Sequence, residues 1–447
     1  MRSDDRRIRH PAAFVIGWFG ALIALGTLLL ALPISHSKPD DVGVGDALFT
    51  AASAVTVTGL GVVDTGEAWS GFGETIVLLL VQVGGLGIMT LASFLGIAIN
   101  RRLRVRSGLL AGAEIGLSDY GVLRHLIRDL VVFVALTESV VSVLLTVRFA
   151  VRGEYSWLGS LHQGVFHSIS AFNNAGFSIT EGGLERYVGD WYVSLVVAAT
   201  LIIGGIGFPV VFEIRNKWRH PTSWSLHTKV TLSVSAMLLL AGTLLIAMIE
   251  WSNEATLGLL SPEDRMLASF FQSATARTAG FNTVPIGSMR DASWLVLILL
   301  MVIGGGSGST AGGIKTSTFA LVIKSTLAEF RSDPSTTLFD RAIPLALQRQ
   351  ALALVIAALG TVGTGAFILE ALEPQISAEE LLFEAASAFG TVGLSTGVTT
   401  DLGWLSELVV VTLMFVGRVG PITFGTAVLL RPQQRRYNYA EEQLMVG

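Results

Sequence analysis

The chain contains no cysteine among its 447 residues, and only 14% of them are Asp, Glu, Lys or Arg. The absence of cysteine excludes disulfides, thiolate metal ligands and thiol nucleophiles. Soluble domains carry about 25% charged residues, so this low charge is typical of a chain that lies mostly in a lipid bilayer. The formal net charge of −4 is small, and no basic tract interleaved with aromatics indicates a nucleic-acid partner.

Hydrophobic residues make up 51% of the chain instead, and 49 residues are glycine. A membrane-spanning helix needs about 20 consecutive apolar residues. Apolar runs of this kind predict eight spans, and the first is too long for the core of a signal peptide. The predicted spans are Pro11–Leu32, Gly73–Ile99, Leu130–Val147, Trp191–Phe212, Val230–Ile249, Trp294–Ala328 (with an interruption), Ala351–Leu369 and Leu408–Leu430.

A short segment that opens with Phe and reaches a glycine ten residues later occurs four times, once between the two spans of each pair. Such a segment is too short to cross a bilayer, which predicts a re-entrant half-helix followed by a glycine turn. A second glycine cluster follows each copy after 24 to 28 residues. The four segments are Phe49–Gly59, Phe166–Gly176, Phe270–Gly280 and Phe383–Gly393, and the clusters are Gly84-Gly85, Gly204-Gly205, Gly304-Gly305 and Gly417-Arg418.

This fourfold repeat predicts an all-α membrane protein with four tandem helix–pore loop–helix repeats around one central pore. Eight transmembrane helices and four re-entrant half-helices would make up the repeats. The predicted units are residues 1–100, 101–220, 221–345 and 346–447, the third with an intramembrane loop at 304–318 and the fourth with the C-terminal tail. Basic residues concentrate between the repeats and at the termini, which predicts that both termini are cytoplasmic in a multi-pass plasma-membrane protein.

The four glycine turns are the candidate functional site. Inside a membrane, carbonyl oxygens from four loops around one axis can replace the hydration shell of an ion. Close helix packing is the better explanation for any single turn, because glycine is common in membrane helices; four turns in register favour an ion pathway. The candidate filter residues are Val57, Thr58, Gly59, Asn174, Ala175, Gly176, Thr278, Ala279, Gly280, Thr391, Val392 and Gly393.

With these turns the chain resembles, from end to end, the Ktr/Trk/HKT cation-transport superfamily, and within it the Ktr potassium-uptake membrane subunits. The motifs that carry the resemblance are Val57-Thr58-Gly59-Leu60, Asn174-Ala175-Gly176-Phe177, Thr278-Ala279-Gly280-Phe281 and Thr391-Val392-Gly393-Leu394. The resemblance implies potassium uptake through a selective, channel-like pore driven by the electrochemical gradient. Glycine at all four filter positions goes with potassium preference in this superfamily, whereas many sodium-conducting relatives have serine at the first.

The same resemblance implies partners and ligands. It implies a homodimer in the lipid bilayer, on a cytoplasmic RCK-type nucleotide-binding regulatory ring of the KtrA type. ATP or ADP would bind that partner, and this chain would carry no cofactor of its own. K+ would be the substrate, with Na+ as an optional stimulating ion. The basic segments Arg101–Arg106 and Lys324–Arg349 are candidate contacts for the ring, and the tail Tyr437–Gly447 is a candidate part of the dimer interface.

Ten residues dominated by Gly and Ser interrupt the sixth predicted span and cannot form a regular helix. Irregular backbone at membrane depth survives only inside protein or beside a water-filled cavity. The resemblance implies an intramembrane gating loop here; a flexible kink between two helices is the alternative. The candidate gate residues are Gly304, Gly305, Gly306, Ser307, Gly308, Ser309, Thr310, Gly312, Gly313 and Lys315, together with Arg418.

Arg418 stands where the other repeats carry Gly85, Gly205 and Gly305. A charge at mid-membrane costs about 2.5–3.5 kcal/mol on insertion scales unless it faces a partner or water. Our hypothesis is that Arg418 donates hydrogen bonds to loop carbonyls and repels cations in the closed state. An arginine that snorkels to the cytoplasmic surface is the alternative. The sequence leaves open the roles of Arg277, beside the third turn, and Glu138, inside a predicted span.

Other function classes have less support. A sodium-selective or sodium-coupled transporter of the same superfamily is the first alternative. A secondary transporter with a site at the membrane midplane usually has two inverted repeats and an acidic residue at that site, and the four turns contain no carboxylate. The seven histidines show no metal-ligand spacing, and no nucleophile–base set is apparent. We therefore expect neither an enzyme nor a metal centre beyond bound K+.

Overall fold

Helices make up most of the part of the chain that the computed structural model describes, which is residues 11–38, 42–106, 118–180 and 182–430. The α-helices are α1 (Pro11–Leu30), α2 (Val44–Thr56), α3 (Thr65–Ala68), α4 (Gly71–Arg106), α5 (Ser118–Arg152), α6 (Trp157–Asn173), α7 (Trp191–Ile206), α8 (Phe208–Lys217), α9 (Leu226–Glu250), α10 (Pro262–Thr275), α11 (Asp291–Val302), α12 (Thr316–Phe330), α13 (Leu345–Leu372), α14 (Ala378–Gly390) and α15 (Trp404–Leu430). Short 3-10 helices lie at Pro33–Ser35, Glu185–Tyr187, Pro221–Ser223, Ile286–Ser288 and Val398–Asp401. Strands β1 (Thr337–Leu338) and β2 (Arg341–Ala342) pair antiparallel in a hairpin between α12 and α13.

Four short helices, α2, α6, α10 and α14, are the half-helices predicted from the repeat, with 13, 17, 14 and 13 residues. The prediction that they start at the phenylalanine is wrong, because each begins upstream of it. Three of the starts are fixed by serine caps, since Ser156, Ser261 and Ser377 accept hydrogen bonds from main-chain N–H groups of the first turn. The phenylalanines instead lie within the helices; Phe166, for example, is buried.

Each half-helix packs against long helices of its own repeat and of the preceding one. We call α1–α4 unit one, α5–α8 unit two, α9–α12 unit three and α13–α15 unit four. The half-helices α6, α10 and α14 contact α4, α7 and α11 of the preceding units, and α2 contacts α15 of unit four. This last contact closes the series, so the four units form a ring in which units two and four face each other.

Two predicted spans are broken in the structure. The run Trp191–Phe212 does not continue as one helix, because α7 and α8 meet at an angle of 98°. Gly207, between them, has a φ of +99°, a conformation that glycine adopts at little cost, and Pro209 stands in the first turn of α8. The run Trp294–Ala328 divides into α11 and α12, with the predicted irregular segment between them.

Five helices among the described residues are long and apolar enough to cross a membrane, or six if α7 and α8 count as one bent span. The chain is therefore a multi-pass membrane protein by the length and composition of its helices. Helix α15 has 27 residues, but the side chains of its last ten lie outside the described part. The full layout of eight spans and four re-entrant segments stays a prediction.

Carboxylates at the ends of α9 and α13 bind the first residues of the second long helix of their unit, which is α11 in unit three and α15 in unit four. Glu250 Oε1 accepts hydrogen bonds from the Arg290 main-chain N–H at 2.9 Å and from Ser293 Oγ at 2.5 Å. Glu373 Oε1 accepts from the Gly403 N–H at 2.7 Å and from Ser406 Oγ at 2.6 Å. Hydrogen bonds from Ser406 and Gly403 hold the pKa of Glu373 below its usual range. Units three and four therefore share the same carboxylate contact with the start of their second long helix.

The second glycine clusters let long helices approach the ends of the half-helices. A Cβ on Gly84, Gly204 or Gly417 would collide with the carbonyl oxygen of Val55, Phe172 or Phe389, each in the last turn of a half-helix. In unit three the equivalent Gly304 instead faces the carbonyl oxygen of Gly312. Units one, two and four thus share one packing contact. In unit three a contact within its own irregular segment takes its place.

We predict that Gly84→Ala destabilises the fold while Gly20→Ala does not. The methyl group at Gly84 meets main-chain atoms that cannot move aside, which costs about 1–3 kcal/mol or more, whereas a Cβ on Gly20 of α1 meets nothing within 4 Å. Thermal unfolding of the purified variants in detergent, followed by size-exclusion chromatography, measures the difference. Equal melting temperatures for the two variants would contradict the close helix contact.

Candidate functional site

Left-handed backbone marks all four glycine turns. The φ angles are +89° at Gly59, +71° at Gly176, +77° at Gly280 and +91° at Gly393. Side chains other than hydrogen are strained in this region. The residue two positions before each glycine also has a positive φ, and these residues are Val57, Asn174, Thr278 and Thr391. The four turns therefore share one unusual main-chain path, as expected for elements that repeat around an axis.

The four turns lie against one another in a closed ring. A Cβ on Gly59 would collide with the Ala175 carbonyl oxygen of unit two, and one on Gly176 would meet that of Ala279 in unit three. The pattern continues from Gly280 to the carbonyl of Val392, and from Gly393 back to the carbonyl of Thr58. Four main-chain carbonyls thus follow one another around the ring at the same position of each turn. Side-chain volume at any of the four glycines would force the ring apart.

Serines of the half-helices hold three of the turns. Ser53 Oγ accepts from the Gly59 N–H at 3.0 Å, and Ser387 Oγ accepts from the Gly393 N–H at 3.2 Å. At the equivalent place in unit two, Ser170 Oγ donates to the Phe177 carbonyl at 2.7 Å. Unit three has Ala274 at this position. Its turn therefore lacks this serine contact, and main-chain bonds hold it, among them one from the Ala279 N–H to the Thr275 carbonyl at 2.8 Å.

Arg277, whose role the sequence leaves open, joins two segments of unit three. Its guanidinium donates to the Ser235 carbonyl at 3.2 Å and to Ser235 Oγ at 3.1 Å, both in α9. A third contact, at 3.5 Å, reaches the Gly304 carbonyl. These hydrogen bonds therefore tie α9 to the start of the segment between α11 and α12, and none of them involves the four ring carbonyls.

The irregular segment between α11 and α12, residues 303–315, is almost wholly buried. Its main chain bonds to the bend in unit two, with the Gly306 N–H donating to Gly205 O at 2.8 Å and the Phe208 N–H donating to Gly308 O at 3.2 Å. Gly308 and Gly313 have φ angles of +77° and +63°. Local contacts complete the segment: Ser309 Oγ donates to Gly306 O at 2.6 Å, and Ser307 Oγ lies 3.4 Å from Ser317 Oγ. We refer to residues 303–315 as the intramembrane loop.

Thr310 connects the loop to units two and four. Its Oγ1 lies 2.9 Å from the side-chain amide of Asn174, the first residue of the second turn. Its carbonyl oxygen accepts a hydrogen bond from Arg418 Nη1. Asn174 belongs to unit two and Arg418 to unit four, which face each other. The loop therefore bridges the two units that flank unit three, immediately beside the turns.

Two buried cations accompany the loop. Arg418 is 3% exposed, and its Nε and Nη2 have no hydrogen-bond partner within the described part of the chain. Lys315 Nζ donates to the Ala311 carbonyl at 2.5 Å and to the Gly312 carbonyl at 3.4 Å. On the other side of the loop, Gly312 lies so close to Thr391 that a Cβ on it would collide with the threonine hydroxyl.

A hydrogen-bond network beside the second turn is not predicted from the sequence. Asn173 Nδ2, at the end of α6, donates to Gln82 Oε1 at 2.8 Å and to Glu138 Oε1 at 3.2 Å. Gln82 Nε2 donates to the other carboxylate oxygen of Glu138 at 3.2 Å. Glu138 therefore joins α4 of unit one to the half-helix of unit two. The charge inside an apolar run signals such a network, but its partners are distant in sequence.

Among the described residues, no group of three or more His, Asp or Glu side chains is placed to hold a metal ion. The polar groups that converge at the ring are main-chain carbonyls. Carbonyl rings of this kind bind monovalent cations in ion channels.

Comparison with known proteins identifies the family. The family described as TrkH, Cation transport protein, matches residues 2–439. The chain belongs to this family. Potassium uptake proteins are among its relatives: the chain is 40% identical to "Ktr system potassium uptake protein B" of Bacillus subtilis (strain 168), over 99% of this chain and 97% of the relative. That name designates one component, B, of a Ktr system.

A second relative and a solved structure extend the comparison. The chain is 33% identical to "Potassium/sodium uptake protein NtpJ" of Enterococcus hirae, over 100% of this chain and 99% of the relative. The crystal structure of the potassium transporter TrkH from Vibrio parahaemolyticus superposes with a TM-score of 0.74 and 20% identity, covering 96% of this chain and 87% of that one. This likeness shows that the chain has the same fold as that transporter.

We predict that Gly393→Ala abolishes cation uptake while Gly397→Ala leaves it largely intact. Both glycines have positive φ angles, +91° and +109°, so the backbone strain is matched. A Cβ at Gly393 collides with the Thr58 carbonyl, whereas one at Gly397 meets nothing within 4 Å. Potassium-limited growth of cells that lack their own uptake systems measures the effect. Equal growth with both variants would show that the closed ring is not the functional element.

Proposed function

We propose that this chain carries K+ into the cell through a selective, channel-like pore across the plasma membrane. The observation that supports this most is the closed ring of carbonyls from Thr58, Ala175, Ala279 and Val392, each packed on the glycine of the preceding unit. The names of the relatives agree with potassium as the cargo. The membrane potential supplies about 2.3 kcal/mol per charge per 100 mV, which is enough to accumulate a cation without ATP hydrolysis by this chain.

In this mechanism a K+ ion leaves its water shell and is coordinated by the ring carbonyls. The residues of the turns, 57–59, 174–176, 278–280 and 391–393, provide the carbonyls above and below the ring level. The glycines let the four main chains come close enough to surround one ion. Repulsion between ions in single file speeds their exit.

The intramembrane loop is the proposed gate. In the proposed closed state it blocks the axis beside the ring, where the positive charges of Lys315 and Arg418 oppose the passage of a cation. Opening requires the loop to leave the axis, which breaks the bonds of Thr310 to Arg418 and Asn174. Glycine-rich backbone at residues 304–308 and 312–313 suits such a rearrangement.

Regulation and assembly are proposed from the family resemblance. A homodimer would sit on a cytoplasmic RCK-type ring that binds ATP or ADP, with both termini of this chain on the cytoplasmic side. The proposed dimer segment Tyr437–Gly447 and the side chains of Arg101–Arg106 lie outside the described residues. Lys324–Arg349 is described and forms the end of α12, the β-hairpin and the start of α13. This exposed segment is the proposed docking surface for the ring.

Sodium transport is the second candidate, because the name of the Enterococcus relative includes sodium as well as potassium. Na+ would then be either a transported ion or a stimulating ion. A midplane secondary transporter has less support, because the four units follow one another head to tail around a ring, and that class is typically built from two inverted repeats.

Flux measurements in liposomes test the proposed function. We expect purified protein in potassium-loaded liposomes to conduct K+ in preference to Na+ under an imposed potential. Gly59→Ser should reduce this preference, because its hydroxymethyl group displaces the Ala175 carbonyl from the ring. Preferential Na+ flux by the wild-type chain would favour the sodium transporter. Absence of flux both without and with the regulatory ring would overturn the proposal.

We predict that Arg418→Ala raises basal K+ flux about tenfold, because a unit charge near the axis is worth about 1–2 kcal/mol at an effective dielectric constant of about 20. Arg418→Lys is the matched control, since it keeps the charge and changes only the hydrogen bond to Thr310. Stopped-flow flux in liposomes measures both variants. Unchanged basal flux and unchanged activation in Arg418→Ala would exclude Arg418 from the gate.

A further inference from the structure

The half-helices of units two and four carry a titratable side chain at one equivalent position. His167 in α6 and Glu384 in α14 each stand nine residues before the glycine of their turn. Both side chains are completely buried. The same position holds Thr50 in unit one and Phe271 in unit three. The titratable pair therefore occurs only in the two units that face each other across the ring.

Glu384 holds the segment that leaves the fourth turn. Thr399 Oγ1 donates to its Oε1 at 2.6 Å, and the hydroxyls of Thr399 and Ser395 lie 2.8 Å apart. Ser395 is the second residue after Gly393, so the carboxyl group is linked through Thr399 to the exit of the turn. We call residues 394–399 the fourth exit segment.

His167 makes the corresponding contact in unit two. Its Nδ1 lies 2.8 Å from the Gln163 carbonyl, which can only accept, so Nδ1 carries the proton. Its Nε2 therefore accepts a hydrogen bond from Ser178 Oγ, at 2.9 Å. Ser178 is the second residue after Gly176, just as Ser395 is after Gly393. The imidazole also packs on Phe281, the residue after the third turn, with ring centroids 6.2 Å apart.

Units one and three lack this link. The hydroxyl of Thr50 has no partner within the described residues, and the second residue after the first turn is Gly61. In unit three, Phe271 has no polar group, and the second residue after its turn, Asn282, donates to Glu185 of unit two at 2.6 Å. Half-helix side chains thus anchor the exits of only two of the four turns.

From these contacts we propose that Glu384 and His167 are positioning residues that determine ion selectivity, by fixing the exit segments at Ser395 and Ser178. This inference rests on the proposed function of the ring as a potassium filter. A carbonyl ring discriminates between cations only while its oxygens keep their number and spacing. Loss of an anchor lets the exit segment and the adjoining carbonyl of Val392 or Ala175 shift, so that a smaller ion such as Na+ is also coordinated.

The experiment compares K+ and Na+ flux in liposomes for Glu384→Ala, Ser395→Ala and the double variant. We expect each single variant to lower the K+/Na+ permeability ratio about tenfold, the effect of losing one well-made buried hydrogen bond. The double variant should be no worse than either single one, because both remove the same link. Thr50→Val is the matched control, since it removes a hydroxyl at the equivalent position without an exit contact, and its ratio should stay at the wild-type value.

His167→Gln and Ser178→Ala repeat the test in unit two and should lower the ratio in the same way. If Glu384→Ala fails to fold, Ser395→Ala still removes the link from the exit segment. A wild-type ratio in both folded serine variants would overturn the inference while leaving the potassium filter in place. A wild-type protein that conducts without selectivity would instead overturn the proposed function itself, and this inference with it.

Discussion

Main-chain contact between neighbouring glycine turns is the constraint on which the rest of the structure depends. At each turn the hydrogen of one glycine faces the carbonyl of the next unit, and the fourth turn closes on the first. Such closeness requires left-handed backbone without a Cβ. It also requires that four half-helices end at the same depth, which the long helices ensure by packing on the last turns of three of them through Gly84, Gly204 and Gly417.

The ring combines fourfold repetition with a systematic departure in unit three. There the serine that supports the turn is replaced by Ala274, Arg277 ties α9 to Gly304, and the second long helix is interrupted by the intramembrane loop. Repetition gives the four turns equivalent carbonyls, whereas the departure in unit three gives it a glycine-rich loop that contacts units two and four. In the proposed function, the repeated turns provide the ion site and this loop provides the gate.

The sequence predicts the parts of this arrangement that depend on local chemistry. The turns at Gly59, Gly176, Gly280 and Gly393 were found because glycine is needed for their backbone and because the spacing repeats four times. The irregular loop was found because glycine and serine in series cannot form a helix. The family resemblance, which the match over residues 2–439 confirms, rests on the same motifs.

Contacts between distant residues were beyond prediction from the sequence. The bend at Gly207 was missed because the apolar run continues through it, although Gly-Phe-Pro is a turn signal in hindsight. The network of Glu138 with Asn173, and the link from Glu384 to the fourth exit segment, join residues whose separation in sequence gives no periodic pattern. The starts of the half-helices were misplaced because caps such as Ser156 lie outside the repeated motif.

Anomalous diffraction from crystals grown with Rb+ or Tl+ in place of K+ tests the central claim most directly. The account predicts an anomalous peak on the ring axis, coordinated by the carbonyls of Thr58, Ala175, Ala279 and Val392, and its loss in Gly393→Ala crystals. A peak bound instead by side-chain carboxylates away from the axis, with none within the ring, would contradict the assignment of these turns as the ion-binding site.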